Sequence, residues 1–271
     1  ARRDGGVCGV TAGLLERFGA GRVLETPLAE SGISGSAVGM ALAGLRPVAE
    51  MQFSGFSYLM IPQLEGQASR FRSRTHGTLS VPLVIRMPYG AGVRALEHHS
   101  ESREATYAHF PGVKVVIPST PRNARALIVA AIRDPDPVVF MEPKRSYRAF
   151  REEVPEEQET MEIGRCHIAK EGTDLTVVSW GAMMRTTLAA VAALEERRRA
   201  SVEVIDLLTL SPLDSETIAA SLRKTGRCVV VQEAPRSLGL SSEITARIND
   251  EALLHLEAPV KRVTGYDVVT P

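Results

Sequence analysis

VKVVIPSTPRNARALIVAAIRDPDPVVFMEPK, residues 113–144, holds a complete strand, helix and strand. Residues 113–120 (VKVVIPST) are β-branched, apolar and punctuated by proline. Residues 121–134 (PRNARALIVAAIRD) read as a helix, and 137–144 (PVVFMEPK) as a second strand. Upstream, 46–53 (RPVAEMQF), 62–74 (PQLEGQASRFRSR) and 81–88 (VPLVIRMP) extend the alternation. Runs as apolar as PLVIR and KVVIP suit strands buried on both faces, in a parallel sheet covered by helices. The rhythm stops at 151–162 (REEVPEEQETME), acidic and poor in large apolar residues, which reads as a linker. It restarts with DLTVVSWG (174–181), an Ala-rich helix over 186–199, the strand VEVIDLLTL (202–210), a helix over 215–226 capped by Ser215 and stopped by Gly226, and RCVVVQEAP (227–235). The expected class is therefore α/β, with two α/β domains at residues 1–150 and 163–271.

Composition narrows the function. The 271 residues are 44% apolar and 24% charged, with 32 basic and 32 acidic side chains, so no global field attracts nucleic acid or an anionic membrane. Cys8, Cys166 and Cys228 are odd in number and lack metal-ligand spacing, and read as reduced thiols of a cytosol-like compartment. Apolar runs such as SAVGMALAGL are too short and Gly-rich to span a bilayer, and residues 1–10 have no signal-peptide core. Neither end reads as a built terminus.

The segment 26–56, TPLAESGISGSAVGMALAGLRPVAEMQFSGF, sets Glu30 among small and apolar residues. Two accounts stand: Glu30 is the N3 acid of a helix opened by Thr26 or Pro27, or it is a cofactor-contacting acid enclosed by apolar surroundings. The density of glycine after it suggests a backbone packed closely against something. In 97–104, EHHSESRE, adjacent His98 and His99 diverge too far to grip one metal, but one can face a site; a solvated polar loop is the plainer alternative. His109 follows in YAHFPG. Residues 90–95, GAGVRA, match a dinucleotide fingerprint only loosely, since the following strand lacks the ribose-binding acid. No phosphate loop, HExxH or G-x-S-x-G elbow is present.

Residues 4–53 (DGGVCGV through EMQF), 89–148 (YGAGVRALEHHSES through PKRSYR) and 262–267 (RVTGYD) together resemble the β subunit of thiamine-diphosphate-dependent 2-oxo acid dehydrogenase E1 components, with PLAESG, HHSES and DPDPVVFMEPKRSYR in the family's order. The resemblance implies a pyrimidine-binding transketolase-like domain followed by a transketolase C-terminal-like domain. It implies that Glu30 hydrogen-bonds N1′ of the cofactor's aminopyrimidine, that Phe56 packs on that ring, and that Leu28 and Gln52 lie beside it. His99 matches the histidine that handles substrate and acyl transfer to the lipoyl group, with His109 in the same region. Asp134 and Asp136 fall near a monovalent-cation (K⁺) site. The diphosphate and Mg²⁺ are expected on an α subunit, in an α2β2 heterotetramer whose β C-terminal domain docks the lipoyl-E2 acyltransferase. HHSES and FMEPKRSYR favour a branched-chain 2-oxo acid as substrate; pyruvate or acetoin dehydrogenase is the alternative, and an NAD-binding oxidoreductase a more distant one. A bacterial cytoplasmic location is expected, or the mitochondrial matrix in a eukaryote. The chain departs from the family at Glu101, Pro62 and Thr75-His76, and the segments that typical members carry at each end are expected to have been trimmed.

Overall fold

A computed structural model describes residues 5–6, 8–198 and 200–270 and places ten strands, numbered along the chain, in two five-stranded sheets. Asp4 and Val7 of the DGGVCGV segment, Arg199 at the end of the expected 186–199 helix, and Pro271 lie outside the described residues. The first sheet contains β1 (Val48–Glu50), β2 (Val84–Tyr89), β3 (Lys114–Val116), β4 (Val138–Pro143) and β8 (Thr209–Ser211), in the order β1-β2-β4-β3-β8. The second contains β5 (His167–Lys170), β6 (Leu175–Ser179), β7 (Val202–Asp206), β9 (Cys228–Pro235) and β10 (Lys261–Gly265), in the order β10-β9-β6-β7-β5. Neighbours are parallel except at the β3·β8 and β5·β7 edges. β2 and β4 pair from Val84 opposite Val138 to Tyr89 opposite Pro143, and every residue of both is buried, as their unbroken apolar runs require.

The Pro121–Arg133 helix starts where its sequence can satisfy its first amides. The Thr120 hydroxyl accepts from Asn123 N, Asn123 Oδ1 accepts from Thr120 N at 2.9 Å, and proline fills the first turn. Its Leu127 and Ala131 pack with Val84, Val138 and Phe140 of the sheet. The acidic stretch that follows β4 runs back along this helix. Arg122 N donates to Glu152, Arg122 Nε to Glu159 at 2.7 Å, and Arg125 Nη2 to Glu156 O at 2.8 Å.

Four expectations change. The apolar run 202–210 is two strands, because Leu208 adopts φ +52 and turns the chain; its carbonyl accepts from Ile117 N at 2.8 Å, and β8 crosses to join the first sheet. Asp214, not Ser215, caps the Ser215–Thr225 helix, accepting from Thr217 N at 3.2 Å, while Gly226 closes it at φ +68 as expected. The 62–74 helix breaks into Ile61–Leu64, a 3₁₀ turn at Ala68–Arg70 and Phe71–Arg74. The glycines of the Glu30–Leu42 helix are not packed tightly within this chain: a Cβ on Gly39 would meet nothing within 4 Å, and Gly32, Ser36, Gly39 and Ala43 form an exposed face.

The two sheets meet at the carboxyl ends of their strands. Just past β2, Ala91 N reaches Glu233 at the end of β9. Past β3, Ser119 donates to Asp206 at the end of β7, and past β6, Trp180 Nε1 donates to Glu104. One apolar core runs through the junction, from Ile85 and Tyr89 to Trp180, Ile205 and Ile244.

Candidate active site

The site is built around an aromatic turn. Phe53 is extended and leads into a 3₁₀ turn over Ser54–Met60. Gly55 is required there, since a Cβ would run into the carbonyl of His98. Ser54 Oγ donates to Glu101 O at 2.6 Å, and Gly90 N donates to the same carbonyl at 3.2 Å, so the 90–103 loop is laid directly on the turn. As a result His98 stacks parallel on Phe56 with ring centroids 5.5 Å apart. His99 stands edge-on to both Phe53 (4.6 Å) and Phe56 (5.3 Å). The diverging neighbours of the sequence thus grip one ring from two directions. Leu96 in this loop has φ +62, a left-handed conformation disfavoured for a bulky side chain and tolerated where the surroundings dictate it.

Glu30 opens its helix rather than sitting at its third position. Ala29 is the N-cap and makes no side-chain cap, which overturns the reading in which Thr26 or Pro27 opens the helix. Nor is Glu30 a buried acid. It is half-exposed, and among the described residues its carboxylate makes no hydrogen bond or ion pair. Ser31 Oγ donates to Leu59 O at 2.5 Å, fastening this helix end to the aromatic turn. Leu28 lies exposed just before it, and Gln52 is half-buried beside Phe53. An open carboxylate at a helix end beside an aromatic wall suits the nitrogen edge and the flat face of an aminopyrimidine. The residues present therefore fit that part of a thiamine cofactor.

His109 is exposed, at the C-cap of the Glu104–Ala108 helix. Asp134 and Asp136 lie on a different edge and are neutralised from within the chain. Lys114 Nζ donates to both Asp134 oxygens (2.9 and 2.7 Å), and Arg72 Nε to Asp136 at 2.6 Å. An ammonium group sits where a monovalent cation was expected. The glycines of 90–95 do not open a helix of useful length; only Glu97–Ser100 follows, so a dinucleotide fingerprint lacks the helix it needs.

Behind the rings lies a set of buried ionisable groups that sequence reasoning missed. Lys144 Nζ sits 5.1 Å over the Phe53 ring with no hydrogen-bond partner among the described residues, and burial lowers its pKa. Glu104 is fully buried, and burial pushes its carboxyl up to about 7, with Trp180 Nε1 the one side chain that donates to it among the described residues. Burial likewise raises the Glu233 carboxyl and the Tyr89 hydroxyl above their ordinary values, and pushes Asp206, at the end of β7, up to about 7. The available signal was local. A Gln-Glu pair interrupts the apolar run RCVVVQEAP, and Glu104 follows the histidine loop directly.

Comparison with known proteins agrees with this architecture. The family model of the transketolase pyrimidine-binding domain matches residues 2–149, and that of the transketolase C-terminal domain matches residues 164–271. Over 268 residues the chain is 52% identical to the pyruvate dehydrogenase E1 component subunit beta of Acholeplasma laidlawii and 51% identical to that of Bacillus subtilis strain 168. It is 48% identical to that of Staphylococcus aureus; each match covers 99% of this chain and 82% of the relative. The solved structure of a split-gene transketolase, an inactive beta4 tetramer, has a TM-score of 0.75 at 25% identity, covering 99% of this chain and 82% of that one.

Proposed function

Because this chain belongs to the transketolase-like family of thiamine-diphosphate-dependent 2-oxo acid dehydrogenase E1 β subunits, which work with an α subunit and an E2 component, we propose that its substrate is pyruvate. The support is the roughly even identity, near one half, to three pyruvate dehydrogenase β subunits. The branched-chain expectation rested on HHSES and FMEPKRSYR alone and yields to that broader likeness. When bound, thiamine diphosphate supplies the carbanion-stabilising chemistry of decarboxylation. The chain's own residues orient it and move protons. Glu30 holds a proton shared with N1′ of the aminopyrimidine, Phe56 walls the ring, and Leu28 and Gln52 flank it. His99, fixed edge-on between two phenyl rings, handles the proton during acyl transfer to the lipoyl group of E2, with His109 further out on the same approach.

The assembly we infer is an α2β2 heterotetramer in which the α subunit holds the diphosphate and Mg²⁺. The open face of Gly32, Ser36, Gly39 and Ala43 lets a partner backbone approach closely beside Glu30. Lys114 supplies the charge that K⁺ would bring to Asp134, and the second domain is placed towards E2. The observation that carries the reading is the partnerless Glu30 carboxylate on a helix end fastened to the aromatic turn. Glu30→Gln, reconstituted with the α subunit, is expected to lower pyruvate decarboxylation by about a hundredfold. An unchanged rate would remove Glu30 from the chemistry, and wild-type enzyme that prefers 2-oxoisovalerate would overturn pyruvate.

A further inference from the structure

The loop that carries His98 and His99 leaves β2 at Gly90 and returns at Ser102, and both stems lie against a single carboxylate from the other sheet. Glu233, near the end of β9, accepts a 2.8 Å hydrogen bond from Ala91 N on the outgoing stem. Ser102 on the returning stem lies close enough to favour its charged form. Gly90 makes the approach possible. At φ +91 it adopts a backbone suited to glycine, and a Cβ there would stand 2.7 Å from Glu233 Oε2. Gly90 N and Ser54 Oγ both donate to Glu101 O, which ties the two stems to each other and to the turn bearing Phe53 and Phe56. Lys144 and Arg145 on one side, and Glu104 and Tyr89 on the other, set the field around the carboxylate.

We propose that Glu233 is a positioning residue for His99: from the second domain it clasps the stems of the 90–103 loop and so holds the imidazole edge-on to Phe53 and Phe56 for acyl transfer. The proposal rests on the role assigned to His99 above, and it adds that the second domain takes part in the active site by fixing this loop. The carboxylate is reserved for this task, because among the described residues nothing on its own sheet pairs with it and its Oε2 has no hydrogen-bond partner. The position is one where an acceptor matters more than a charge.

The test uses E1 assembled with its α subunit, with three readouts: acylation of a lipoyl domain by pyruvate, decarboxylation with an artificial electron acceptor, and hydrogen exchange of the 91–102 amides. Glu233→Ala is expected to slow acylation about tenfold while decarboxylation changes much less, and to speed exchange at Ala91. Glu233→Gln keeps an acceptor for Ala91 N and is expected to restore both acylation and protection. Gly90→Ala displaces the carboxylate without removing it and is expected to repeat the loss, which keeps the test decisive if Glu233→Ala fails to fold. Wild-type acylation in Glu233→Ala or Gly90→Ala overturns the clasp, as does equal loss of acylation and decarboxylation, or a Gln variant as impaired as the Ala variant. If His99→Ala acylates normally while Glu233→Ala loosens the loop, the role of His99 falls and the clasp stands.

Discussion

Inside the first sheet, Arg86 of β2 and Glu142 of β4 form a buried pair; at the junction of the sheets, Glu104 and Asp206 are buried and Glu233 is half-buried, each with one oxygen unpaired among the described residues. In the sheet the guanidinium spans both Glu142 oxygens and also reaches Glu50 at 3.4 Å, while Tyr147 donates to Glu142. Burial alone would lower the Arg86 pKa, but the Glu142 charge and hydrogen bonds outweigh it and hold Arg86 ionised. At the junction Glu104 and Asp206 have no cation beside them among the described residues, Glu233 feels Arg145 and Lys144 only as a weaker field, and burial wins at all three. Strand neighbours bring opposite charges into fixed register, whereas groups at strand ends face whatever the other domain presents. This is also where α/β folds place ligands.

Substitutions at three places probe that contrast. Arg86→Met strands the Glu142 carboxylate and is expected to lower stability by about 3–5 kcal/mol in urea titrations, while Arg86→Met with Glu142→Leu recovers most of it. Full stability in the single variant would mean the pair is not buried as described. At the junction the sign reverses. Glu104 has a raised folded pKa, so between its ordinary value near 4.5 and about 7 the folded chain binds the extra proton, and its contribution falls as pH rises through that window. Glu104→Gln is therefore expected to stabilise the protein by about 2 kcal/mol at pH 8 and by nearly nothing below pH 4.5, as read from melting curves at the two pH values. A pH-independent difference would contradict the unpaired environment. The smallest effect belongs to the surface edge. Lys114→Met frees Asp134 and is expected to lose about 1 kcal/mol, partly regained in potassium chloride but not in a bulky-cation chloride of the same ionic strength.

The alternation of apolar runs with helices was legible because each element carries its own pattern. PVVFMEPK is buried along β4 whatever surrounds it, and PRNARALIVAAIRD supplies its own cap in Asn123 and, just before it, Thr120. The aromatic site was half legible: the order of PLAESG, QFSGF and HHSES points to Glu30, Phe56 and His99, and the fold gathers the rings of Phe56 and His99. Less legible were features set by partners far along the chain. In VEVIDLLTL nothing local says that the turn at Leu208 sends β8 into the other sheet, because the apolar pattern satisfies either choice. The enclosure expected around Glu30 is not supplied by the described residues, which leave it half-exposed.

The sequence by itself determined the two α/β halves and the family to which they belong, since periodicity, turn residues and ordered motifs are properties of neighbouring residues. Tertiary structure alone decided which acids are paired. Arg86 and Glu142 are separated by two crossovers, out to β3 and back to β4, Lys114 reaches Asp134 around a helix, and Ala91 meets Glu233 only because the carboxyl ends of two sheets converge. A carboxylate's character follows from the donors and the dielectric around it, and those are set by packing rather than by the residues beside it in the chain.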